Sequence, residues 1–265
     1  MAYPYNLKVV VSGRQVEVYK YKKNIWRDFE RTLPSVLTTD KNIQYDEPLQ
    51  QPTADEQLKI QQQKTQFSIN RTRTEIRRLV NSNPQLTKFL TLTFAENITD
   101  LKDANYVFNQ FVKRISYRYP DFEYLAVPEF QQRGAVHYHL LCNLPFIEPN
   151  EITELWGQGF VKINRINNVT NIGAYVCKYL SKDMFDERTF GKKKFFRSQT
   201  LKAPVEILGW LATLFEKKYL TASTPVYEKT FQSDWTGEIN YKSYSLEISP
   251  LPSGVLNKSQ LIRPL

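Results

Sequence analysis

The chain has 265 residues, enough to bury an ordinary hydrophobic core without disulfides or structural metals, so wholesale disorder is excluded. Lys and Arg number 36 against 27 Asp and Glu, a net charge of +9, and aromatic residues make up 14%; phosphates attract such charge and bases stack on such rings, so the composition points towards nucleic acid. Its nine glycines form neither a GxxxxGK[ST] loop nor GxGxxG, and its two cysteines, Cys142 and Cys177, cannot build a disulfide framework, so no nucleotide cofactor and a reducing, cytoplasmic setting are expected.

The opening MAYPYNLK lacks the apolar run of a signal peptide. From Lys8 to Lys20 apolar residues alternate around a break at Ser12-Gly13, which predicts a hairpin. Residues 1–52 read as an accessory region ending in a polar, proline-containing linker from Asp46 to Pro52. Thr53-Ala-Asp-Glu56 then matches a capping box and opens a helix expected to run to about Val80. Arg71, Arg73, Arg77 and Arg78 on that helix are candidate phosphate contacts, or simply a solvated face.

Phe89-Leu-Thr-Leu-Thr-Phe94 alternates with period two and predicts a strand with Thr91 and Thr93 on one side. Asp103 to Tyr117 has helical spacing, and Phe122–Phe130 and Ala135–Leu144 are two further apolar runs joined by Gln131-Gln132-Arg133-Gly134. Phe160-Val-Lys-Ile-Asn164 alternates again, and Asn171 to Met184 reads as a helix. Strands, short hairpins and interspersed helices predict an α+β fold around a central, mainly antiparallel sheet. Residues 53–204 would hold the catalytic domain and 205–265 a C-terminal accessory region. Its apolar run, Ile207 to Phe215, is too short to span a membrane, and from Thr221 no function is legible.

The chain's only histidines are His137 and His139, in Gly134-Ala-Val-His-Tyr-His-Leu-Leu-Cys142. Separated by one strand residue, they project to the same face and can both reach one divalent ion. If Gln132-Arg133-Gly134 is a three-residue loop with Gly134 left-handed, Gln131 faces Ala135 and Glu129 lies opposite His137. Glu129, His137 and His139 then form a ligand set suited to Mg²⁺ or Mn²⁺ acting on a phosphodiester, and equally able to hold Zn²⁺. Further on, Tyr175-Val-Cys-Lys178-Tyr179-Leu-Ser-Lys182 places two tyrosines and two lysines on one helical stripe. A phenol is a poor nucleophile at neutral pH, but neighbouring ammonium groups favour its attack, which makes Tyr175 and Tyr179 candidate nucleophiles and Lys178 their helper. The alternative is an amphipathic helix with half-buried tyrosines and snorkelling lysines.

In this order, FLTLTF, Glu129 with His-Tyr-His, and the YxxKYxxK helix, the chain resembles the HUH endonucleases of the rolling-circle replication initiator type. The likeness covers roughly Ile76 to Pro204, with Trp156-Gly-Gln-Gly159 and Lys194-Phe-Phe-Arg-Ser198 as weaker marks, and is nearest to initiators of small single-stranded DNA phages, plasmids and integrative elements. The resemblance implies an RRM-like core, the metal ligands His137, His139 and Glu129, and nicking and joining of origin DNA through a 5′-phosphotyrosine formed on Tyr175 or Tyr179. It also implies origin DNA, single-stranded or in a hairpin, and a host helicase as partners. Single-tyrosine transposases share the motif order, and a catalytically silent DNA-binding module is the rival from another class. Beyond the helix, Lys182, Lys192, Lys193, Lys194 and Arg197 are candidate strand contacts, while Phe195 and Phe196 are open between stacking on bases and returning to the core.

Overall fold

The computed structural model describes residues 3–27, 53–166, 173, 188, 191–233, 236–247 and 249. The expected class holds, α+β with antiparallel sheets. The chain divides into two compact units, one made of Met1–Phe67 with Val205–Leu265 and the other of Ser68–Pro204.

In the first unit, β1 (Tyr3–Ser12) and β2 (Gln15–Arg27) form the predicted hairpin about a left-handed Gly13. Strands from far along the chain complete the sheet: β8 (Val205–Leu208) pairs with β1, and β10 (Gly237–Ser245) pairs with both β2 and β9 (Tyr227–Ser233). The helix α4 (Gly209–Tyr219) covers one face through Ala212 and Phe215, which pack on Leu7, Val9, Val11, Val16 and Val18. On the other face the buried Glu17 accepts hydrogen bonds from Tyr241 at 2.8 Å and Tyr19 at 3.4 Å, so its carboxylate is satisfied.

The second unit holds the strand order β6-β3-β5-β4-β7: β3 (Lys88–Thr93), β4 (Tyr124–Phe130), β5 (Val136–Cys142), β6 (Val161–Arg165) and β7 (Phe196–Arg197). Each sheet face has its own cover because strand side chains alternate. Leu90, Leu92, Tyr138 and Leu140 pack against α2 (Leu101–Arg118) and α3 (Pro149–Trp156) through Phe108, Phe111, Ile115 and Trp156. The Tyr138 ring stacks on Phe108 at 4.3 Å, its hydroxyl donates to Asn105 Oδ1 at 2.7 Å, and burial raises its pKa well above the usual phenol value.

Leu125, Val127 and Leu141 turn to the opposite face, where α1 (Ala54–Ser82) covers them with Ile69, Ile76, Leu79 and Val80. This helix starts at the predicted capping box: the Thr53 amide donates to the Glu56 carboxylate at 2.8 Å, and the Glu56 amide donates to Thr53 Oγ1 at 3.3 Å. The helix α2 starts on Asp100, which accepts from the amides of Lys102 and Asp103; those bonds, the Asp103 one foremost, hold its carboxyl below the usual range. Periodicity alone had shown neither α3 nor the short strands after residue 195.

Candidate metal centre

The hairpin between β4 and β5 has the register the sequence requires. The Gln131 amide donates to the Ala135 carbonyl at 2.8 Å, Gly134 is left-handed at φ +87°, and Glu129 stands opposite His137. Arg133 at the tip clamps this turn to the end of β3, donating to the carbonyls of Phe94 at 2.6 Å and Ala95 at 3.4 Å. The two histidines alternate with buried Val136, Tyr138 and Leu140, so the packing of the α2 side forces both imidazoles onto the opposite face.

There, Glu129, His137 and His139 each offer a ligand atom, all within 4.8 Å of one another. His137 Nε2 lies 2.7 Å from Glu129 Oε2, and His139 Nε2 contacts the same oxygen. Their side chains keep 13%, 17% and 18% exposure for His137, His139 and Glu129, enough shelter to fix them and enough opening to admit an ion and a phosphate oxygen. The His139 ring is held on two further sides: Phe89 stacks on it at 5.4 Å, and Thr91 Oγ1 lies 3.1 Å from Nδ1. A hydroxyl both donates and accepts, so Thr91 can hold the ring whether Nδ1 or Nε2 carries the proton. With the proton on Nδ1, Nε2 is left free as a ligand, an arrangement that orients metal-bound histidines in general. Two imidazole nitrogens and one carboxylate oxygen on an open face fit a catalytic divalent cation.

Sequence reasoning had placed Thr91 on one side of its strand without joining it to a histidine. The signal was there: an alternating Thr strand that pairs with His-x-His must present hydroxyls to imidazoles.

The proposed DNA contacts divide. On α1, Arg71 and Arg78 lie on the side turned away from the buried stripe, whereas Arg73 and Arg77 flank it and are half-buried. The four therefore do not make one face. Lys192, Lys193 and Arg197 are exposed and Lys194 is half-buried. Arg197 pairs with Leu125 on the edge strand β7, which puts it on the ligand-bearing face. Phe195 packs with the α1-side core and Phe196 with the α2-side core, so these rings return to the interior, and Lys193 Nζ sits 4.9 Å over Phe196.

Tyr175, Lys178, Tyr179 and Lys182 lie outside the described residues. Just ahead of them, Gly173 is helical and buried; its amide donates to Asn81 Oδ1 at 3.0 Å, and a Cβ there would stand 2.5 Å from the Arg77 carbonyl oxygen. Only glycine fits so close to α1.

A family model of replication-associated proteins, those of the ORF2 and gene-2-protein type, matches residues 87–184, a stretch that begins just before β3 and contains the whole Glu129–His139 ligand set and both tyrosines. The central region is thus similar to replication-associated proteins. No curated protein and no solved structure matches the chain.

Proposed function

We propose that the protein is a rolling-circle replication initiator, a metal-dependent endonuclease that nicks one strand of origin DNA and later rejoins it through a covalent 5′-phosphotyrosine. The observation that carries this reading is the convergence of Glu129, His137 and His139 on one open sheet face. The match to replication-associated proteins over residues 87–184 supports it independently.

Glu129, His137 and His139 would hold the ion, Mg²⁺ or Mn²⁺, whose part is to polarise a phosphodiester oxygen. The phenolic oxygen of Tyr175 or Tyr179 attacks phosphorus, the bond to the 3′-oxygen breaks, and the 5′-phosphoryl group stays on the tyrosine while the phenol's proton is lost to solvent. Lys178 offsets the negative charge that develops as the phenolate forms and attacks. The freed 3′-OH can prime synthesis; its return, or attack by the second tyrosine, releases the adduct and restores a phosphodiester. Because each step exchanges one phosphodiester for another, joining needs no nucleotide cofactor.

In this reading residues 53–204 are the catalytic domain, with 1–52 and 205–265 as accessory regions. Arg71, Arg73, Arg77, Arg78, Lys182, Lys192, Lys193, Lys194 and Arg197 supply charge to the DNA strand, and a host helicase in the cytoplasm opens the duplex.

The test is a nicking assay on single-stranded origin oligonucleotides with chelator, Mg²⁺, Mn²⁺ or Zn²⁺, followed by peptide mapping of any adduct. Metal-dependent cleavage with a 5′-phosphoryl group on Tyr175 or Tyr179 is the expected result. Binding without cleavage under every metal would leave a DNA-binding module instead.

A further inference from the structure

We infer that Phe160 and Lys162 form a nucleotide-holding subsite for single-stranded DNA beside the metal ligands, Phe160 stacking on a base and Lys162 pairing with a backbone phosphate. The inference rests on the single-strand reading above and adds to it the groups that hold the strand.

The sheet register brings these residues to the site. Lys162 pairs with Thr91, and Thr91 with His139; one row along, the Thr93 amide donates to the Phe160 carbonyl at 2.9 Å, and Thr93 pairs with His137. Val161 and Ile163 pack against the α2-side core, so alternation turns Phe160 and Lys162 to the face that carries Glu129, His137 and His139. Neighbouring strands lie about 4.8 Å apart, which puts each residue about 10 Å from a histidine, within reach of a nucleotide close to the scissile phosphate.

Phe160 is 66% exposed and Lys162 is exposed, and among the described residues neither meets an aromatic or acidic partner. Yet the backbone beneath the ring is fixed on every side. The helix α3 ends on left-handed Gly157, the Trp156 indole donates to the Thr93 carbonyl at 3.1 Å, and the Ala95 amide donates to the Gln158 carbonyl at 2.8 Å. Gly159, at φ +144°, lies so close to β3 that a Cβ would stand 2.5 Å from Thr93 O and Ala95 N. A ring presented to solvent from a rigid frame loses little freedom when a base stacks on it. An ammonium group in the adjacent row suits the phosphate of the same strand.

The experiment measures binding of the full chain to short labelled single strands by fluorescence anisotropy, with Phe160→Ala, Phe160→Tyr and Lys162→Gln, alongside Mn²⁺ titrations of each protein without DNA. Phe160→Ala should weaken binding about tenfold, and Phe160→Tyr should restore it because every base has a face to stack on a ring. In a scan of abasic positions, the one that stacks on Phe160 should weaken the wild type by a similar factor and leave Phe160→Ala unaffected. Lys162→Gln should reduce the slope of log affinity against log salt by about 1. All variants should bind Mn²⁺ as the wild type does. A wild type that binds and nicks single strands while Phe160→Ala and Lys162→Gln match it overturns the subsite alone; a wild type that binds no single strand overturns the reading beneath it.

Discussion

Thr91 and His139 face each other across β3 and β5, and the threonine hydroxyl lies 3.1 Å from the imidazole Nδ1. The hydroxyl sets which way the ring presents Nε2 to Glu129 and His137. Thr91→Val keeps the shape and removes that control, so metal affinity should fall by roughly 10- to 100-fold. Thr91→Ser should keep most of it. Calorimetric Mn²⁺ titration reads both, and equal affinities for wild type and Thr91→Val would show that stacking on Phe89 alone orients the ring.

The ligands themselves should separate chemistry from affinity for DNA. His137→Ala and His139→Ala are each expected to abolish nicking while binding origin DNA nearly as well as the wild type, because basic residues supply the attraction to phosphate. Glu129→Ala should weaken the Mn²⁺ titration. Wild-type nicking by either histidine variant in chelator-treated, Mn²⁺-restored buffer would remove that histidine from the site.

The tyrosines call for a paired experiment. Tyr175→Phe and Tyr179→Phe each delete one hydroxyl and leave the ring. If both act, each single variant retains partial cleavage of a short oligonucleotide and the double variant has none. An adduct mapped by mass spectrometry to a tyrosine elsewhere would overturn the assignment of this helix.

Cys142 offers a test of the core that does not depend on catalysis. Burial pushes its thiol up to about 12 from an ordinary 9.0. In a Cys177→Ser background it should resist a thiol reagent at pH 8 and react fully in denaturant. The folded state keeps this proton where the unfolded chain has lost it. Its contribution to stability is therefore complete below pH 9.0 and declines as the pH rises towards 12. Tyr138, also raised by burial, acts with the same sign. Urea midpoints that stay flat from pH 9 to 11 would contradict the burial of both groups.

Much of the second unit was legible because its signals are local. The capping box at Thr53, the period-two strand at Phe89–Phe94 and the glycine at position 134 each act over a few residues, and together they determine the facing of Glu129 and His137. The alternation that exposes His137 and His139 is the same one that buries Tyr138. Other features have no local trace. The pairing of β8 with β1, and of β10 with β2, joins segments some two hundred residues apart, and short strands such as β7 are defined only by the partner they meet. Phe195 and Phe196 illustrate the limit: next to three lysines they could equally stack on bases, and only the position of β7 on the edge of β4 turns them inward.

All three proposed ligands come from one hairpin, between Glu129 and His139, on strands joined by a three-residue turn. Closing so short a loop costs little chain entropy compared with gathering ligands from distant segments. The coordinating geometry is thus a property of a single supersecondary unit, able to form as soon as those two strands zip together. Recognition of a particular DNA sequence has no such economy, since its contacts must be collected from α1, β6 and β7. A lineage could therefore exchange the segments that read the origin, and with them the replicon served, while the cutting centre passes on unchanged.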